Sequence, residues 1–130
     1  MSQLEILNIP GTVKTPTING DVATGKISIS GRCVPENAVD FFIPVKTWIE
    51  KYIEIAPGAT EFKVELDYFN TSSSIILLNV FRLFNPSQNK GMNVNFVWIY
   101  VVDDLDMKEA GEEYKAMLGG NLTLVPKQQL

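Results

Sequence analysis

"EFKVELDYFNTSSSIILL", residues 61–78, brings two hydrophobic periods together at a single junction. Over 61–69, Phe62, Val64, Leu66 and Tyr68 alternate with Lys63, Glu65 and Asp67, the period-2 pattern of a strand with one buried face. After Asn70 the apolar residues run almost without interruption. Length favours a buried helix there, with Asn79, Arg82 and Asn85 as a thin polar stripe and Asn85-Pro86 near its end. Four consecutive hydroxyl residues, Thr71, Ser72, Ser73 and Ser74, occupy the strand-to-helix junction.

The same alternation extends both ways from this junction. Upstream, "LEILNI" (4–9) reads as a first strand, and "KTPTINGDVATGKISISG" (14–31) as two short strands around a turn that needs Gly25. "GRCVPENAVDFFIPVKTWIEKYIEIAPG" (31–58) is a helical region started by Pro35 and Glu36, with Phe42, Val45, Ile49, Tyr52 and Ile53 at helical spacing. Pro44 predicts a kink or a short turn before the main helix, and Pro57-Gly58 closes the region. Downstream, "MNVNFVWIYVV" (92–102) is apolar on both faces from Phe96 onward, which predicts an interior strand covered on both sides. "DDLDMKEAGEEYKAMLG" (103–119) is a last helix, opened by Asp residues and closed by Gly119-Gly120, and the tail adds a short strand. The order implies one α/β domain with a mixed, partly parallel sheet and helices packed on it. One tension remains, because the polar face of 61–69 looks half-exposed.

Composition narrows the function. The chain of 130 residues has 45% hydrophobic and 20% charged residues, ordinary for a single globular domain. A net charge of −4 and the lack of any basic patch argue against nucleic acid as a partner. The start resembles no secretory signal, no run is long enough to span a bilayer, and the lone Cys33 suits a reducing compartment, so the expected setting is the cytoplasm without membrane insertion. His is absent altogether, which excludes Ser-His-Asp and Cys-His catalysis and His-based metal sites.

The hydroxyl cluster has three readings. It can cap the helix, as Asn, Ser and Thr do best, and ordinary capping preferences favour this on spacing alone. It can cradle a phosphate, but no Gly-rich loop or GK[ST] accompanies it. It can be covalently phosphorylated at a helix N-terminus, which favours an anion and lies at the C-terminal end of a strand, where sites in open sheets gather. Asp103, Asp104 and Asp106 could ligate Mg²⁺, but Asp104 as an N-cap and Asp106 as a first-turn acid explain them more simply. Glu36 and Asn37 read as helix-start residues, and Arg32 either pairs with a carboxylate or approaches the hydroxyls. Cys33 reads as a small buried residue, and Trp48, Tyr52, Trp98 and Tyr100 as mostly core.

Three motifs in this order and spacing, "SGRCVPENAVDFFIPVKTWIEKY", "LDYFNTSSS" and "VDDLDMKEAGEEY", resemble the SiaC family of bacterial biofilm-regulation phosphoproteins. The resemblance covers about residues 4–118, leaving the tail unmatched. It implies a STAS-like two-layer α/β domain with no catalytic activity of its own, and no cofactor or metal is expected. It implies reversible phosphorylation by a dedicated serine/threonine kinase and a membrane-bound phosphatase. It also implies that the unmodified form binds and activates a GGDEF diguanylate cyclase, raising cyclic di-GMP. In the family's "FNTSS" motif the threonine after asparagine accepts the phosphate, which falls on Thr71, with Ser72 and Ser73 as runners-up. Arg32, Glu36, Asn37, Asn70, Asp104 and Asp106, all within the matched motifs, are the candidate partner contacts. The rivals are an anti-sigma-factor antagonist, which an Asp-Ser-Ser-Gly-like motif would favour over Asn-Thr-Ser-Ser, a metal enzyme on the acidic cluster, and a purely structural domain.

Overall fold

The computed structural model describes residues 4–55, 58–84 and 93–129. In chain order it forms β1 (Leu7–Ile9), β2 (Thr17–Asp21), β3 (Lys26–Cys33), α1 (Ala38–Ile55), β4 (Ala59–Phe69), α2 (Thr71–Arg82), β5 (Asn93–Val101), α3 (Leu105–Met117) and β6 (Thr123–Lys127). The strands make one six-stranded sheet in sequential order. β1, β2 and β3 pair antiparallel, and β3 through β6 pair parallel. Gly25, at φ 70°, makes the left-handed turn between β2 and β3.

Each parallel step moves the same way along the sheet. Right-handed crossovers then place α1, α2 and α3 on one face. That face holds the core: Ile27 and Ile29 of β3, Phe62, Val64 and Leu66 of β4, and Val94, Phe96 and Trp98 of β5 are buried against Phe42, Ile49, Leu77, Phe81 and Tyr114 of the helices. Among the described residues no helix covers the opposite face, and none is long and apolar enough to cross a membrane. The half-exposed polar face of 61–69 is thereby explained. The expectation that β5 is covered on both sides is corrected: it is an interior strand, but Val97, Ile99 and Val101 face the uncovered side and are only half-buried.

Other expectations shift locally. β3 continues through Arg32 and Cys33, so Arg32 lies on a strand rather than in the helical region. α1 begins at Ala38, after Asn37, and Pro44 sits inside one continuous helix. Tyr68 leaves the core face because the β3–β4 register slips, pairing Gly31 with Leu66 but Arg32 with Tyr68. Asp67 is the extra residue of that bulge, which turns Phe69 inward against Trp98 and Tyr114. Asn79 and Arg82 are exposed as the polar stripe requires. Pro57, Asn85 and Pro86 lie outside the described residues. The tail does form an edge strand, β6.

Candidate functional site at the α2 N-terminus

Because β3, β4 and β5 are parallel and each feeds a helix, three helix starts gather at one edge of the sheet. Each has a side-chain cap. Asn37 Oδ1 accepts from the Asp40 N–H at 3.1 Å, Asn70 Oδ1 from Ser73 at 3.0 Å, and Asp104 Oδ1 from Met107 at 3.0 Å. Each such cap contributes about 1 kcal/mol. Asn70 is further fixed by its backbone, whose N–H donates to the Cys33 carbonyl at 3.2 Å. The helix start is therefore held by the Asn70 amide rather than by the Thr71 hydroxyl that follows it.

The hydroxyls divide sharply by position. Thr71, the first helical residue, is exposed, and its hydroxyl has no hydrogen-bond partner among the described residues. Ser72 is exposed, and its hydroxyl donates to Asn70 Oδ1 at 3.3 Å. Ser73 is fully buried beside the Cys33 thiol. No kinase could reach it without opening the helix, so burial disfavours that runner-up. Ser74 is tied back to the Thr71 carbonyl at 2.7 Å. Burial pushes the Cys33 thiol pKa up, which suits an unreactive core residue.

Thr71 opens onto a groove of about 430 Å³ between α2 and α3. Thr71, Ser74, Ile75 and Leu78 form one wall, Ala110, Glu113, Tyr114 and Met117 the other, and Phe69 and Asn70 the end. Each wall is an i, i+3, i+4, i+7 helical face. Ile75 is 59% exposed and Met117 46%, unusually open for such large apolar side chains. Glu113 is the one ionisable carboxylate in the lining.

Tyr114 locks the two walls together. It is buried, its ring edge-on to Phe81 and tilted against Trp98, and its O–H donates to the Ser74 carbonyl at 2.7 Å. Burial first, then the neighbouring Cys33 and Glu113, hold its pKa well above the ordinary 10.0. The folded state thus prefers the neutral phenol. Its contribution is complete below the unfolded pKa of about 10 and is lost as pH climbs from there toward the folded value. The melting temperature of the wild type should fall more steeply above that pH than that of Tyr114→Phe, which should be lower by the equivalent of ~1 kcal/mol near neutrality. Parallel curves across the alkaline range would show that the phenol is not protected.

The remaining candidates scatter. Arg32 does not approach Thr71; its guanidinium lies over the Tyr68 ring at 5.2 Å on the uncovered side. Glu36 pairs with Lys14 at 3.8 Å in solvent, and Asn37 also donates to the Asp40 carboxylate at 2.9 Å. Asp104 is engaged as a cap and Asp106 lies in the first turn of α3. The acid that lines the groove with Thr71 is Glu113, which the sequence reading passed over. The shared helical spacing of 110, 113, 114 and 117 was the signal available for finding it.

Fold and site together define a small two-layer α/β regulatory-type module, with an exposed hydroxyl at a helix start beside an apolar groove. Residues 9–127 match the model of the SiaC family regulatory phosphoproteins, through the β6 strand. A relative from Pseudomonas aeruginosa (strain UCBPP-PA14), an uncharacterized protein, is 32% identical over 109 residues, covering 84% of this chain and 86% of its own. The chain also superposes on apo-SiaC of P. aeruginosa with a TM-score of 0.81 at 28% identity, covering 93% of this chain and 98% of that one. The match to a crystal structure of the diguanylate cyclase SiaD in complex with its activator SiaC has a TM-score of 0.87 at 29% identity, covering 93% and 99%. The chain belongs to the SiaC family of regulatory phosphoproteins.

Proposed function

We propose that this protein is a non-catalytic phospho-switch. Unphosphorylated, it docks a GGDEF diguanylate cyclase through the α2–α3 groove and activates cyclic di-GMP synthesis, promoting biofilm formation. A cognate serine/threonine kinase turns it off by phosphorylating Thr71, and a membrane-bound phosphatase restores it. The carrying observation is that Thr71, whose exposed hydroxyl has no partner among the described residues, stands on the rim of a groove where Ile75 and Met117 are open and apolar and Glu113 is the one charge. Support for the partner comes from SiaC, which is described as the activator of the cyclase it is bound to.

The physics of such a switch is local. A phosphate on Thr71 adds roughly −1.5 to −2 charges at the first turn of α2, where free N–H groups and the helix dipole favour an anion. The same phosphate adds to the charge of Glu113, the one carboxylate in the groove lining. An apolar partner face settling there would have to strip water from a dianion, which costs far more than the apolar contacts return. The neutral hydroxyl carries no such penalty.

Incubation with the cognate kinase and ATP, followed by intact-mass and peptide mass spectrometry, tests this. One phosphate is expected on the peptide containing Thr71, absent in Thr71→Ala, with cyclase binding retained only by the unmodified protein. An active kinase that leaves the wild type unmodified sinks the phospho-switch.

A further inference from the structure

The face of the sheet away from the helices has a composition that the groove does not account for. On β2 and β3 its outward residues, Thr17, Asn19, Ser28 and Ser30, are polar, as a water-facing sheet requires. On β5 and β6 the outward row includes Asn93, Asn95, Thr123 and Lys127 but carries an apolar cluster between them. Val97, Ile99 and Val101 point outward, and Val125, 37% exposed, lies in register beside Ile99. Tyr68, half-exposed, stands on the same side under the Arg32 guanidinium. Clustered aliphatics with a Tyr–Arg pair make the composition of a protein interface rather than of solvated surface.

Association through the sheet edges is obstructed. β6 carries Pro126, which cannot donate to a ladder, and β1 is three residues long and followed by Pro10. Contact must therefore come through the face. The charges there are mixed: Lys63 and Lys127 stand with Glu65 and Asp67, and Lys127 already pairs with Glu65 across β5. A patch balanced in this way favours neither an acidic nor a basic foreign partner. It does suit itself.

We propose that a second copy of this chain docks here, sheet against sheet, about a two-fold axis running along β5. Such an axis lays β4 of each copy opposite β6 of the other, as an isologous interface demands. Lys127 of each copy then meets Glu65 and Asp67 of the other, while Val97, Ile99 and Val101 each meet their own counterpart. Among the charges on the strands themselves, no like pair opposes, whereas Asp103, just past the end of β5, faces its own counterpart at the rim in solvent. The two sheets pack in the aligned manner of a β-sandwich, and both α2–α3 grooves remain outward and available. This assembly goes beyond the phospho-switch and does not depend on it.

Light scattering and sedimentation of the full chain, from micromolar to near-millimolar, give the first test. The apparent mass should rise from 14.5 kDa toward twice that value. Ile99→Glu should hold the monomer mass throughout. Because it places a charge on an interior strand, Val125→Glu on the edge strand serves as the second variant, with folding of both checked by circular dichroism. The axis is tested by Val101→Cys: native Cys33 is wholly buried, so diamide should link Val101→Cys into a covalent dimer but leave Ser28→Cys, off the axis on the same face, unlinked. A wild type that stays at 14.5 kDa overturns the proposal. So does a dimer that survives both charge variants, or one that links Ser28→Cys as readily as Val101→Cys. A monomer that loses cyclase binding in Val125→Glu assigns the face to that partner and overturns it too.

Discussion

Ile75→Glu is expected to lower the affinity of the unphosphorylated protein for the proposed diguanylate cyclase partner by at least about a hundredfold, equivalent to roughly 2.7 kcal/mol. Two losses combine. The partner forfeits contact with a large, open apolar side chain, worth about 2 kcal/mol when buried. It must also desolvate a carboxylate in the middle of the groove, the same penalty invoked for the phosphate on Thr71. Since Ile75 is 59% exposed, the fold should hardly notice. Asn79→Glu, on the same helix but outside the lining, controls for added charge. Titration calorimetry against the cyclase checks both variants. If Ile75→Glu binds like the wild type, the cyclase docks elsewhere and the role assigned to the groove is wrong.

Gly111→Ala is expected to destabilise the protein by about 2 kcal/mol, although Ala is normally the better helix former by about 1 kcal/mol. Gly111 lies on the buried face of α3. A Cβ there would stand 2.5 Å from Trp98 Cδ1 and 2.7 Å from Leu124 Cδ2. Trp98 cannot swing aside, because it is wholly buried and its Nε1–H donates to the Met107 carbonyl at 3.0 Å. The helix must lift from the sheet instead, carrying Tyr114 and the groove wall with it. Thermal unfolding should show a midpoint lower by about 5–10 °C for a domain of this size. A raised midpoint would mean that α3 packs farther from β5 and β6 than the close contact at Gly111 requires.

The two predictions differ in how far they could be read from the chain. Ile75 follows Thr71 by one helical turn, so its face was within reach of periodicity. Gly111 inside "KEAGEEY" looks like a weak point in a polar helix, and only the approach of Trp98 shows why a glycine stands there. Burial of Ser73 is similar. Four adjacent hydroxyls are chemically alike in sequence, and helical rotation against the core separates the inaccessible Ser73 from the open Thr71.

Local pattern determined the strands and helices of this protein, their order, the mixed sheet they imply and the strand-to-helix junction at Asn70. These depend on spacing and capping, which neighbours along the chain decide. The family resemblance singled out Thr71. Tertiary structure alone decided the rest. Sequential right-handed crossovers put every described helix on one face, so β5 is open on the side its sequence would cover. A one-residue bulge at Asp67 exchanged Tyr68 for Phe69 in the core. The meeting of two helical faces made Glu113 and Met117 neighbours of Thr71, although about forty residues separate them in the chain. Periodicity shows which side of an element is apolar, but what that side meets depends on elements far away in the chain.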